Sequence, residues 1–270
     1  MNPDENRPPA VSATPLRGRF LTAHWRWLAM LNFELDPALL RPLVPRGVEL
    51  DFFNGRCYAS VVGFLFVHTR VLGVPIPLHR HFEELNLRFY VRRETAGEVR
   101  RGVVFVREIV PRKAIALVAR WTYNEPYLAL PMRHQLTGLP DPRITSADVS
   151  PTAMAADRRV EYGWQVDGRW NQLALSQLDE FQPLSPGSEA EFITEHYWGY
   201  CRQRDGRTVE YQVEHPPWKV AQASAWDLQI DAEKLYGRDF AAPLAQTPRS
   251  AFLAVGSPIA VRKPTRLPAH

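Results

Sequence analysis

A chain of 270 residues, 45% of them apolar, can bury a core without disulfide or metal staples, and its 23% of charged residues is ordinary for a soluble globular protein. The net charge of +4 comes from dispersed basic residues; lysine occurs only at Lys113, Lys219, Lys234 and Lys263. A spread of arginines without a basic stripe argues against a nucleic-acid partner. Cys57 and Cys201 sit in unrelated contexts, so free thiols are expected rather than a disulfide framework or zinc site. The first 19 residues are polar and Pro-rich, lack a secretory apolar segment and read as a disordered tail. No apolar run reaches the roughly 18 residues of a membrane span. A cytoplasmic protein, with no membrane partner and one domain over residues 20–270, is the expectation.

In chain order, Thr22–Glu34 reads as a long buried strand. Asp36 and Pro37 supply the N-cap and first position of a short helix whose apolar residues are Leu39, Leu40 and Leu43. Asn54-Gly55 turns a hairpin between Val48–Phe53 and Arg56–His68. Strands are predicted at Glu84–Arg92, Val99–Val110, Ala114–Trp121 and Tyr127–Met132. Leu136–Asp157 reads as an irregular loop. Asp167-Gly168 joins Arg159–Val166 to Arg169–Ser176, and Asp205-Gly206 turns a third hairpin into Arg207–Glu214. Ser188 and Glu191 form a capping-box pattern at the start of a short helix. Asp231–Tyr236 reads as another, stopped at Gly237, and Ala251–Val261 as the last strand. Many strands, three Asx-Gly turns and only short helices predict a mainly antiparallel β architecture, barrel or large sandwich.

Phosphate loops, the nucleophile elbow and the metalloprotease motif are missing. His79, His81 and Glu83 would share a face of an extended strand, but the spacing is common and an exposed polar loop is the plainer reading; no metal and no cofactor are expected. Lys113 needs a depressed pKa to act as an amine nucleophile, which Arg112 beside it would favour; otherwise it is a surface lysine at a strand end. His215-Pro216-Pro217-Trp218 is a rigid turn that sets Trp218 against the core or a ligand. Glu84 shares its face with Asn86, Arg88 and Tyr90, and periodicity leaves open whether that face is solvent or a polar interior. If interior, Arg26, Glu84 and Arg88 would line a pocket, where an arginine fork suits a carboxylate.

The segments Phe33–Asp51, Phe82–Val91 and Arg107–Met132, with Glu191–Tyr197 and His215–Trp218, resemble the uncharacterised YqjF-like family, domain-of-unknown-function family 2071, within the acetoacetate decarboxylase-like superfamily. That resemblance implies a mainly β, antiparallel double-cone β-barrel with a few short helices and an internal cavity, and self-association by analogy of fold alone. It places Arg26 and Glu84 at the decarboxylase's pocket arginine and glutamate. No carboxylate stands near Tyr58–Ser60, where the decarboxylase has a second acid. The decarboxylase's Pro-Lys-Lys step aligns with Pro111-Arg112-Lys113 or, in the register that the neighbouring strand and the spacing from Glu84 favour, with Pro126-Tyr127-Leu128. In that register Tyr127 replaces the imine-forming lysine, and a phenol cannot form an imine.

The implied function is a polar cavity that binds, and as an enzyme transforms, a small carbonyl or carboxylate compound without Schiff-base chemistry. Tyr127 and Glu84 would act as hydrogen-bond donor or general acid, with Arg26, Arg88 and Trp218 as binding residues. Two alternatives stay open: a decarboxylase-like lyase using Lys113, and a non-catalytic interaction module whose barrel is filled by its own side chains.

Overall fold

Residues 18–77, 79–95, 97–112, 124–144 and 157–267 are described by the computed structural model. Lys113 and the predicted strand Ala114–Trp121 lie outside them, as do residues 1–17 of the predicted tail 1–19, whose Arg19 instead opens the first strand, and residues 145–156 of the predicted loop.

The strands are β1 (Arg19–Glu34), β2 (Glu49–Leu50), β3 (Phe52–Phe53), β4 (Arg56–Val71), β5 (Val74–Pro75), β6 (Phe82–Thr95), β7 (Glu98–Val110) and β8 (Tyr127–Ala129). They continue as β9 (Met132–Thr137), β10 (Arg159–Val166), β11 (Arg169–Leu178), β12 (Trp198–Arg202), β13 (Thr208–Glu214), β14 (Val220–Gln229), β15 (Ser250–Arg262) and β16 (Thr265–Arg266). Short helices α1 (Pro37–Leu40), α2 (Glu189–Thr194), α3 (Ala232–Tyr236) and α4 (Arg238–Leu244) punctuate them.

Local chemistry explains most boundaries. Asp36 accepts from the Ala38 amide and caps α1, although Leu43 beyond it is exposed rather than part of a buried face. Asn54 and Gly55 both hold positive φ (49° and 75°), as do Asp167 and Gly168 (46° and 77°), which is the geometry a two-residue hairpin with right-handed twist requires. Asp205-Gly206 differs. Its loop spans five residues between Arg202 and Thr208, and the Asp205 carboxylate accepts from the Arg207 amide in an Asx turn. Ser188 caps α2 by accepting from the Glu191 amide, but Glu191 reaches the Gly187 amide instead of closing a reciprocal box. The expected single strand Tyr127–Met132 is interrupted. β8 runs parallel to β7, and then Pro131 ends it and β9 pairs with β10. β14 and α4 carried no clear sequence signal, since β14 (VAQASAWDLQ) is half exposed and α4 holds an internal proline, Pro243.

The pairing order places β15, β1, β4, β6, β7, β12 and β13 side by side, and β13 also pairs with β15 through Val213↔Val261 and Glu214↔Ala260. These seven strands therefore form a closed circuit of pairings. β14, β11, β10 and β9 continue outward from β15 and cover its outer face. Alternation then fills two cores. Leu85, Leu87, Phe89 and Val91 of β6 face outward into one. Phe82 and Tyr90 face inward into the other, with Glu84, Asn86 and Arg88 between them, all buried. The polar stripe of β6 is thus interior.

Register shifts redirect side chains in β4, where Thr22 pairs with Arg70 but His24 with Val67 and His68 takes φ of 55°, and in β1 and β7. Along β1, Arg26 pairs with Leu65 but Ala29 pairs with Gly63, and Trp27 takes φ of 53°, a bulge that turns Arg26 and Trp27 to the same outer side. Along β7, Leu87 of β6 faces Arg107 while Arg88 faces Phe105, leaving Val106 as the extra residue. The β1 bulge has a visible support. The Tyr162 hydroxyl donates to the Trp27 carbonyl at 2.7 Å, its ring lying over Gly63, where any Cβ would stand 2.6 Å from it. Gly256, at φ of 79°, lies where a Cβ would collide with the Trp25 carbonyl oxygen.

Gly256→Ala is expected to lose roughly 3 kcal/mol or more of stability in urea denaturation, from left-handed strain plus collision. Tyr162→Phe, which orphans a buried carbonyl, is expected to lose about 1–3 kcal/mol. Wild-type midpoints for both would show the bulge does not depend on them.

Candidate functional site

The circuit encloses a cavity of about 200 Å³. Its polar end is built from four elements. β6 contributes Glu84, Asn86 and Arg88, β7 contributes Glu108, the turn before β8 contributes Glu125 together with Tyr127, and β13 contributes Tyr211. The bulge at Val106 is what brings Phe105 and Glu108, three residues apart, to the same inner face. Pro126 shapes the turn: the Tyr127 amide donates to the Glu125 carbonyl at 2.8 Å, and the Glu108 amide donates to the Pro126 carbonyl at 3.3 Å. Tyr127 and Glu108 then sit opposite one another in the parallel pair β7–β8.

The polar groups form one linked set. Tyr127 donates to Glu84 Oε2 at 3.2 Å and also hydrogen-bonds the Glu108 carboxyl. Asn86 donates to Glu84 Oε1 at 3.4 Å. Tyr211 donates to Glu125 Oε1 at 2.9 Å, and the buried Cys201 thiol hydrogen-bonds the same carboxyl. Glu84, Glu108 and Glu125 are each under 5% exposed. Burial disfavours their charged forms and so raises all three pKa values, and mutual repulsion adds to the rise at Glu84 and Glu108. Burial, reinforced by Glu108 and Glu84, also pushes the Tyr127 phenol well above its ordinary range. At neutral pH the result is a set of neutral carboxyl and phenol groups able to donate hydrogen bonds in a water-poor space. Arg88 supplies the guanidinium of the lining. It donates to the Ile193 carbonyl at 3.4 Å, while its Nε has no hydrogen-bond partner among the described residues.

The structure gathers Glu84, Arg88 and Tyr127, and it leaves Arg26 and Trp218 outside the cavity lining. Arg26 is buried on the outer side of β1, its guanidinium 5.2 Å from the Trp27 ring centre. The reason is the bulge, which sends Trp25 and Leu28 to the cavity and Arg26 away from it. Trp218 does not line the cavity either. Its indole donates to Ser257 at 2.8 Å, stacks on His215 at 4.3 Å and backs the lining residue Trp25. Lys113 lies outside the described residues. His79, His81 and Glu83 diverge: His79 faces the cavity, His81 packs edge-on against His68, and Glu83 pairs with His134. Among the described residues no three His, Cys, Asp or Glu side chains are grouped to hold a metal ion.

Glu108, Glu125 and Tyr211 were not singled out in sequence. Glu108 carried a signal, a lone acid in the apolar run VVFVREIV, but only the bulge fixes its face. Glu125 sits in an ordinary-looking turn sequence. Near Tyr58–Ser60, where the sequence has no carboxylate, α2 delivers one, for Tyr58 donates to Glu189 Oε2 at 2.9 Å.

The chain is similar in fold to the enduracididine biosynthesis enzyme MppR complexed with pyruvate (TM-score 0.65, 14% identity, 99% of this chain and 98% of that one). It is similar in fold also to an acetoacetate decarboxylase-like enzyme from Sphingomonas wittichii RW1 (TM-score 0.59, 14% identity, 98% and 99%) and to acetoacetate decarboxylase from Legionella pneumophila (TM-score 0.60, 11% identity, 98% and 93%). In sequence it is 26% identical over 208 residues to the uncharacterized protein YqjF of Bacillus subtilis, covering 74% of this chain and 75% of that one. Residues 22–258 match the model of DUF2071, described as an uncharacterized conserved protein, and the chain belongs to that family.

Proposed function

We propose that the cavity binds, and activates through hydrogen bonding, a small compound bearing a carbonyl and a carboxylate, without forming an imine. On this reading the closed circuit is the double-cone barrel of the decarboxylase-like fold, and residues 20–270 act as one domain. The observation that carries the reading is Tyr127 hydrogen-bonded between two buried glutamates, Glu84 and Glu108, in a cavity whose described lining residues include no lysine. Tyr127 and Glu84 donate to the ligand carbonyl oxygen and stabilise negative charge developing there. Arg88 holds the carboxylate, replacing Arg26 in the role the sequence suggested. Pyruvate in MppR, a protein of like fold, is a ligand of this chemistry.

Pyruvate and acetoacetate titrated into the full chain are expected to bind by isothermal calorimetry, with Tyr127→Phe and Arg88→Gln each weakening binding roughly tenfold. Borohydride added to the saturated complex is expected to leave the mass unchanged. A reduced adduct would overturn the reading, and mapping it to Lys113 would establish the lysine-based lyase instead.

The acids also set a pH signature. Their folded pKa values exceed the unfolded one, so the native state holds more protons between pH 4.5 and about 8, and stability falls as pH rises across that window. Glu84→Gln is expected to flatten the decline and at pH 8 to be more stable than the parent by on the order of 1 kcal/mol in denaturant titrations. A decline of equal steepness in the variant would show that Glu84 is ionised in the folded protein.

A further inference from the structure

The acids and phenols occupy the deep end of the cavity, and Thr69 and His79 are the polar residues of its outer lining. Following strand register outward, Glu84 is opposite Phe64, Phe82 is opposite Phe66, and Trp25 is opposite Phe66 from the other side. Tyr211 lies two residues inward of Val213, which pairs with Val261. At the outer end Leu21 pairs with both Val71 and Val261. The wall therefore changes from acid and phenol to aromatic to mainly aliphatic along its length, with Thr69 and His79 among the outer residues. From Phe64 to Val71 the strand, with one residue taken up by the bulge at His68, rises roughly 20 Å, far more than a three- or four-carbon acid spans. The aliphatic end continues onto the surface. Ile76 lines the cavity, and beside it Leu72 and Val74 are 62% and 59% exposed on the β4–β5 hairpin, whose Leu72 amide is tied to the Phe20 carbonyl of the lining.

We propose that the ligand is an oxo acid with an extended apolar tail, aliphatic or aromatic, whose head reaches Tyr127 and Arg88 and whose tail runs past Phe66 and Phe82 to the Leu72–Ile76 lip. The proposal rests on the function proposed above and adds the substrate class. Transfer of each tail methylene out of water supplies affinity that the head groups do not, and the open lip sets no sharp limit on length.

Straight-chain 2-oxo acids from pyruvate to ten carbons, titrated calorimetrically into the full chain, test it. The dissociation constant is expected to fall about fourfold per added methylene over the first several additions, with one site per chain. Leu72→Ser is expected to weaken the ten-carbon acid a fewfold. An affinity flat with chain length while pyruvate still binds overturns this inference and leaves the proposed head-group chemistry standing. Strengthening with several sites per chain overturns it as surface adsorption. Binding by no member of the series overturns both.

Discussion

Bulges in β1, β4 and β7, where a strand carries one residue too many, decide which side chains enter the cavity. At Trp27 and at Val106 the pleat loses its alternation, and each of these bulges delivers a pair of inner-facing residues three apart: Trp25 with Leu28, Phe105 with Glu108. Without the bulge at Val106 Phe105 and Glu108 would point to opposite faces, and the acid cluster would lose a member. The bulge at Trp27 is supported by Tyr162, Gly63 and Gly256, three residues far apart in sequence that accommodate one displaced backbone segment.

The cluster so assembled is electrostatically unusual. Among the described residues, three carboxyl groups share a buried space with two phenols, one thiol and one guanidinium of the cavity wall. Burying three anions together would be prohibitive, so protons remain bound and the hydrogen bonds among Glu84, Tyr127 and Glu108 run through neutral groups. That trades stability at high pH for hydrogen-bond donors held in place inside the cavity. A lysine-based site works oppositely, by keeping an amine neutral enough to attack, chemistry that a phenol cannot perform.

Much of the architecture was legible because it rests on local rules. The Asx-Gly turns at residues 54–55 and 167–168, the caps Asp36, Ser188 and Asp231, and the alternation of β6 each depend on side chains within a few positions of one another. Glu84, Arg88 and Tyr127 were legible through alternation and family resemblance together. Arg26 was misplaced because a bulge shifts faces without any distinctive residue to announce it. β14 was missed because its two faces are both partly exposed and its composition is mixed.

What the sequence determined by itself was the mainly β character and the hairpin positions, consequences of residue type and short spacing. What only the tertiary structure decided was the meeting of Glu84, Glu108, Glu125, Tyr127 and Tyr211, and the exclusion of Arg26. These depend on strand register and on the β13–β15 pairing that closes the circuit, contacts between residues tens to more than a hundred positions apart that no local pattern encodes.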